Sequence, residues 1–105
     1  MYLYLDDWRD PRHKGFHVVR TYEDCIDALS NNKVIFLSLD HDLSIDEYYD
    51  KDEKTGYDVA KFLVKKGMKI PNINIHSANP IGRNNIKQLI EHYFPDTTVT
   101  CIMKI

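Results

Sequence analysis

The sequence predicts an α/β fold of the three-layer, doubly wound kind: a five-stranded, mainly parallel sheet in the order 2-1-3-4-5, with few helices. Two observations carry this reading. Short apolar runs of β type alternate with amphipathic helical stretches, the pattern of a parallel sheet covered by helices on both sides. Three of those runs stop in polar groups, at Asp6-Asp7, Asp40-His41-Asp42 and His76-Ser77. Right-handed crossovers favour the doubly wound order. In that order strands one, three and four are neighbours at the carboxyl edge, where such sheets bind ligands.

Residues 2–5 are apolar and form strand one, ending in Asp6-Asp7. The stretch from Trp8 to Phe16 holds Pro11, Gly15, Arg9, Arg12, His13 and Lys14, which is loop chemistry. His17 to Arg20 is a short strand. Thr21, with Asp24 three residues on, starts a helix with Tyr22, Cys25, Ile26 and Leu29 inward, and Asn31-Asn32 closes it. Val34 to Leu39 shows little polar alternation and reads as a strand covered on both faces. Leu43 to Thr55 carries five acids against two lysines and reads as a loop or lid. Gly56 opens a helix to about Lys66, with Val59, Phe62 and Leu63 inward, and Gly67 stops it. Ile73 to Ile75 is strand four. Asn79-Pro80 starts a helix with Ile86, Leu89, Ile90 and Tyr93 inward. Thr98 to Met103 is the last strand, with Lys104 at its tip.

The bulk properties bound the function. At 105 residues the chain is one domain, residues 1–105, with room for one modest core. A net charge of −2 gives no case for binding long nucleic acid, although a nucleotide needs only a local positive spot. Cys25 and Cys101 lack metal-like spacing and read as reduced core thiols, which points to the cytoplasm. No basic leader follows Met1, and no apolar run is long enough to span a bilayer.

The chemistry concentrates at the strand ends. Asp6, Asp7, Asp40 and Asp42 cannot all stay ionised close together without a positive partner, and Mg²⁺ or Mn²⁺ is a natural one. For Asp7 and Asp42 a side chain turned away from the site is as well supported. His41 and His76 end neighbouring strands and can serve as general base and general acid, or else join Asp in ligating a transition metal. Asn79-Pro80-Ile81-Gly82-Arg83 starts a helix at the same edge, where free amides, the helix dipole and the Arg83 fork suit a phosphate. An ordinary capped helix explains the same residues. Arg9, Arg12 and Lys104 can add charge.

The segments Leu5-Asp6-Asp7 with Arg9 and Pro11, Leu39 to Leu43, Gly56-Tyr57-Asp58, and His76 to Arg83 resemble the cyclic-phosphate processing receiver-like domain. This family is a compact relative of the response-regulator receiver, whose fold is flavodoxin-like. The resemblance covers almost the whole chain. It implies that Asp6 and Asp7 hold Mg²⁺, that Asp40 matches the phosphoacceptor, and that the Ser77 hydroxyl touches the phosphoryl group. It also implies that Lys104 matches the lysine ending strand five and Gly56 the glycine opening the following helix. The chain departs from a receiver in lacking a helix between strands one and two and after strand five. Ser44 stands where glycine is common, and the acidic insertion is long. His41 and His76 are not receiver features.

The leading expectation is a small metal-dependent phosphoesterase acting on a cyclic phosphate or nucleotide phosphodiester. Asp6, Asp7 and Asp40 hold the metal, His41 and His76 move protons, Asp42 orients or ligates, and Ser77, Asn79, Gly82, Arg83, Arg9 and Lys104 bind the phosphate. The alternative is a binding module: a phospho-switch on Asp40 or a cyclic-nucleotide sponge. The Ile-, Asn- and Lys-rich usage fits an AT-rich genome, such as that of a phage.

Overall fold

The computed structural model describes residues 1–43 and 54–105. The expected acidic lid lies mostly at 44–53, outside the described residues, as does Ser44. The elements are β1 (Tyr2–Leu5), β2 (Phe16–Val19), α1 (Tyr22–Asn31), β3 (Phe36–Leu39), α2 (Gly56–Lys66), β4 (Asn72–Ile75), α3 (Pro80–Tyr93) and β5 (Thr98–Thr100). The sheet is parallel throughout, in the order β2-β1-β3-β4-β5. Order and strand direction are those expected from the sequence.

Register assigns the two faces. Leu5, Val19, Leu39 and Ile75 lie in one row. With Leu3, Leu37 and Ile73 they build the core against Cys25, Ala28 and Leu29 of α1, Val59, Ala60 and Leu63 of α2, and Ile86 and Ile90 of α3. Burial of this set is the main stabilising term, at about 1.5–3 kcal/mol for each large side chain.

The expected third layer is missing, and handedness explains why. The steps β2→β3, β3→β4 and β4→β5 all run in the same direction across the sheet, so right-handed crossovers place all three helices on one face. Only β1→β2 steps the other way, and that connection, which holds Pro11 and Gly15, contains no helix. The second face therefore shows Tyr2, Tyr4, Phe16, Phe36, Ser38 and Asn74. Its aromatic rings pack together, with Tyr2 stacked on Phe36 at 5.6 Å and Phe16 edge-on to Tyr4 at 5.9 Å.

The termini of the helices follow local chemistry. Thr21 caps α1 by accepting from Asp24 N at 3.1 Å. Gly67 ends α2 at φ 61°, a left-handed conformation that costs glycine nothing. Asn79 caps α3 with Pro80 at its first turn. Tyr93, expected inward, is 54% exposed; Phe94, just past the helix, takes the inward place instead.

Strand five is shorter than expected. It ends at Thr100, because the Asn74 side chain takes over the backbone of Ile102, accepting from its N at 2.8 Å and donating to its O at 2.8 Å. Cys101 is exposed as a result, not a core thiol. The tail then continues across the helix-free face, where Ile105 O accepts from Arg12 N. No described helix is long and apolar enough to cross a membrane.

Candidate metal and phosphate site

Asp6, Asp40 and His76 come together because three strands end in register. Leu5, Leu39 and Ile75 are aligned, and the ladder continues one residue further. Asp6 N donates to Val19 O at 3.2 Å, Asp40 N to Leu5 O at 3.0 Å and His76 N to Leu39 O at 2.9 Å. Side-chain alternation then places these three on the same side as Tyr4, Ser38 and Asn74. One donor atom from each lies within 4.8 Å of the others.

His76 is completely buried and bonded at both ring nitrogens. Nε2 meets Asp6 Oδ2 at 3.1 Å and Nδ1 meets Ser38 Oγ at 2.7 Å. The network assigns the tautomer. Ile102 N can only donate, so the Asn74 oxygen faces it and the Asn74 amide NH₂ donates to Ser38 Oγ at 3.1 Å. The Ser38 proton is then free for Nδ1, which leaves the ring proton on Nε2, facing Asp6. Tyr4 stacks on the imidazole at 4.5 Å, with the rings 2° from parallel.

The acids divide by environment. Asp6 is buried, which works to raise its pKa, but bonds from His76 and from the Trp8 and Arg9 amides outweigh this and hold it below the ordinary value. Burial raises Asp40, and the Asp6 charge adds to it. Asp7 is raised to about 6, first by burial and then by Asp6. Its Oδ2 is buried without a hydrogen-bond partner among the described residues. Two disfavoured carboxylates beside an ionised one, one with a bare buried oxygen, make a donor set suited to a hard cation.

His41 and Asp42 form a separate pair, with His41 Nδ1 3.0 Å from Asp42 Oδ1. Asp42 is exposed, and only its backbone N reaches Asp40 Oδ1, at 3.3 Å. The imidazole rests on Gly82. A Cβ there would fall 2.4 Å from His41 Cγ, so the first turn of α3 must be glycine at this point. Gly56 has a similar role: a Cβ would fall 2.0 Å from the Asp40 carbonyl oxygen, and Gly56 N holds His41 O at 2.9 Å.

The expected anion cradle is a filled cap. Ile81 N and Gly82 N both donate to Asn79 Oδ1 at 3.1 Å, so those amides are not free. Ser77 is buried beside the site, its Oγ accepting from Asn79 N at 3.1 Å. Arg83 Nη1 is held at Ser77 O at 3.3 Å. Arg9 and Lys104, also expected on the phosphate, line one cleft with Arg12.

Sequence reasoning missed three contributors. Arg20 Nη1 reaches Asp6 O at 3.3 Å and also bonds Arg9 O, while its Nη2 pairs with Asp10, tying down the loop after β1. The signal was the strand order itself, since Arg20 follows β2 as Asp6 follows β1. Ser38 and Asn74 were visible as single polar residues inside the apolar runs Leu37–Leu39 and Ile73–Ile75.

A parallel 2-1-3-4-5 sheet with acids after strands one and three and a serine after strand four defines a receiver-like domain. The chain belongs to the cyclic-phosphate processing receiver domain family, whose model matches residues 1–92. The match ends before β5 and the tail that follows it. No curated protein matches the chain.

Proposed function

We propose that this domain is a metal-dependent phosphoesterase that opens a cyclic phosphate or a related nucleotide phosphodiester. The observation that supports it best is the gathering of Asp6, Asp40 and His76 within 4.8 Å, with the bare oxygen of Asp7 nearby. Asp6, Asp7 and Asp40 hold Mg²⁺ or Mn²⁺. Such an ion, when bound, neutralises the phosphate and lowers the pKa of water.

The remaining residues divide the work. His76 holds Asp6 through its Nε2–H. His41, oriented by Asp42 through Nδ1, keeps Nε2 for proton transfer. The water oxygen bonds to phosphorus, its proton passes to His41 Nε2, one ring P–O bond breaks, and the departing oxygen takes a proton from solvent. Ser77 Oγ accepts from Asn79 N, which leaves the hydroxyl proton for a phosphate oxygen. Arg83 supplies the nearby positive charge.

The test is hydrolysis of a panel of nucleoside cyclic phosphates by the purified protein with Mg²⁺ or Mn²⁺. Turnover that disappears in Asp40→Asn and falls at least about 100-fold in His41→Ala is the expected result, the size typical of a general base. An untouched panel overturns the reading. Labelling by acetyl phosphate that is lost in Asp40→Asn would replace it with a phospho-switch.

A further inference from the structure

The cleft between the loop after β1 and the carboxyl-terminal tail has a composition that metal and proton transfer do not use. It holds about 380 Å³, within the range of small-ligand sites. Tyr4 forms part of its lining, as do Trp8, Arg9 and Arg12 from the loop and Met103, Lys104 and Ile105 from the tail. Trp8 is 58% exposed, unusual for so large an apolar ring, and the Arg9 guanidinium lies 5.1 Å from its centroid. Arg9, Arg12 and Lys104 form no ion pair among the described residues; the acidic side chain in the lining, Asp10, is paired with Arg20, and the oxygen of Ile105 accepts from Arg12 N. The cleft is therefore cationic and aromatic together.

It also adjoins the metal and phosphate site. Tyr4, which lines the cleft, stacks on His76, and the amides of Trp8 and Arg9 are bonded to Asp6. Aromatic faces accept a nucleobase in any sequence context, and guanidinium forks accept phosphate oxygens.

We propose that this cleft is a nucleoside subsite, binding an aromatic base against Trp8 and a second phosphate on Arg9, Arg12 and Lys104. The substrate class is then a nucleotide that carries a phosphate apart from the cyclic one. This deepens the phosphoesterase reading and rests on it for the position of the cyclic phosphate. The tail that closes the cleft lies beyond the residues matched by the family model.

Trp8 is the only tryptophan, so its emission reports the cleft directly. Adenosine 5′-monophosphate, which cannot be turned over as a cyclic ester, is the probe, with adenosine and ribose 5-phosphate as its parts. The expected result is saturable quenching by the nucleotide at least about tenfold tighter than by either part, with Arg12→Ala and Lys104→Ala each weakening the nucleotide about fivefold or more and leaving adenosine unchanged. Equal affinities for nucleotide and ribose 5-phosphate, or a nucleotide affinity unmoved by both variants, would overturn it. Quenching without hydrolysis of any cyclic phosphate leaves the subsite standing and removes the esterase. Hydrolysis without charge-dependent quenching does the reverse.

Discussion

His76 Nε2 donates to Asp6 Oδ2 at 3.1 Å, and neither side chain reaches solvent. The pair joins β4 to β1 across the end of β3. It also ties the site to the interior, because Ser38 and Asn74 complete the network behind the imidazole. A buried pair of this kind is costly to break from one side, since the remaining partner is left without its bond.

His76→Ala should therefore be strongly destabilising, by about 3–5 kcal/mol in urea denaturation. The pH dependence has a definite sign. The folded pKa of Asp6 lies below its ordinary value of 3.8, so its contribution is present above that value and disappears as pH falls through the lower folded one. The wild-type midpoint should drop more steeply under acid than that of Asp6→Asn. Parallel acid profiles would contradict this.

Asp7 behaves in the opposite way. Its pKa is raised to about 6, so the metal-free fold binds a proton that the unfolded chain has already lost, and stability declines as pH rises from about 4 to about 6. Asp7→Asn should stabilise the metal-free protein at pH 7 by about 1 kcal/mol, solvent screening of the partly exposed group having reduced the gain. The same substitution should abolish the rise in Tm on adding Mg²⁺ or Mn²⁺. In wild type that rise should weaken as pH falls through about 6 and protons compete with the metal.

Gly82→Ala tests the seat of His41. The added methyl would lie 2.4 Å from the ring, so the ring or α3 must move. Overpacking of this kind costs about 1–3 kcal/mol. Turnover should drop at least about tenfold while the metal-induced rise in Tm persists, because the acids are elsewhere. Unchanged turnover would mean that His41 works from another position.

Asn74→Ala tests the tail. Asn74 bonds Ile102 twice and also contacts Ser38 and Thr100. Its loss should destabilise by about 2–3 kcal/mol, the sum of a few buried bonds. It should also speed amide exchange at residues 101–105. If exchange there stays slow, Asn74 is not what holds the tail.

Much of the site was readable before the fold was known. Asp6 and Asp40 sit where β-type runs stop, and strand order alone makes those stops neighbours. The role of His76 was not readable. Beside His41 it reads as a second proton-transfer group or a metal ligand, and only burial together with the Ser38 and Asn74 bonds shows it fixed against Asp6. Asn79 and Gly82 were equally ambiguous: the same Asn-Pro-Ile-Gly string fits an open cradle or a filled cap, and the Asn79 rotamer decides for the cap.

The sequence by itself determined the elements, their parallel order and the acids at the carboxyl edge. These follow from periodicity and capping, which act over a few residues, and from a handedness rule that needs no side chains. Tertiary structure decided where the tail crosses the helix-free face and how Tyr4, Trp8, Arg12 and Lys104 come to share one cleft. Those features depend on contacts between residues as far apart as Arg12 and Ile105, brought together by Asn74 where strand pairing ends. No local pattern encodes a meeting of that kind.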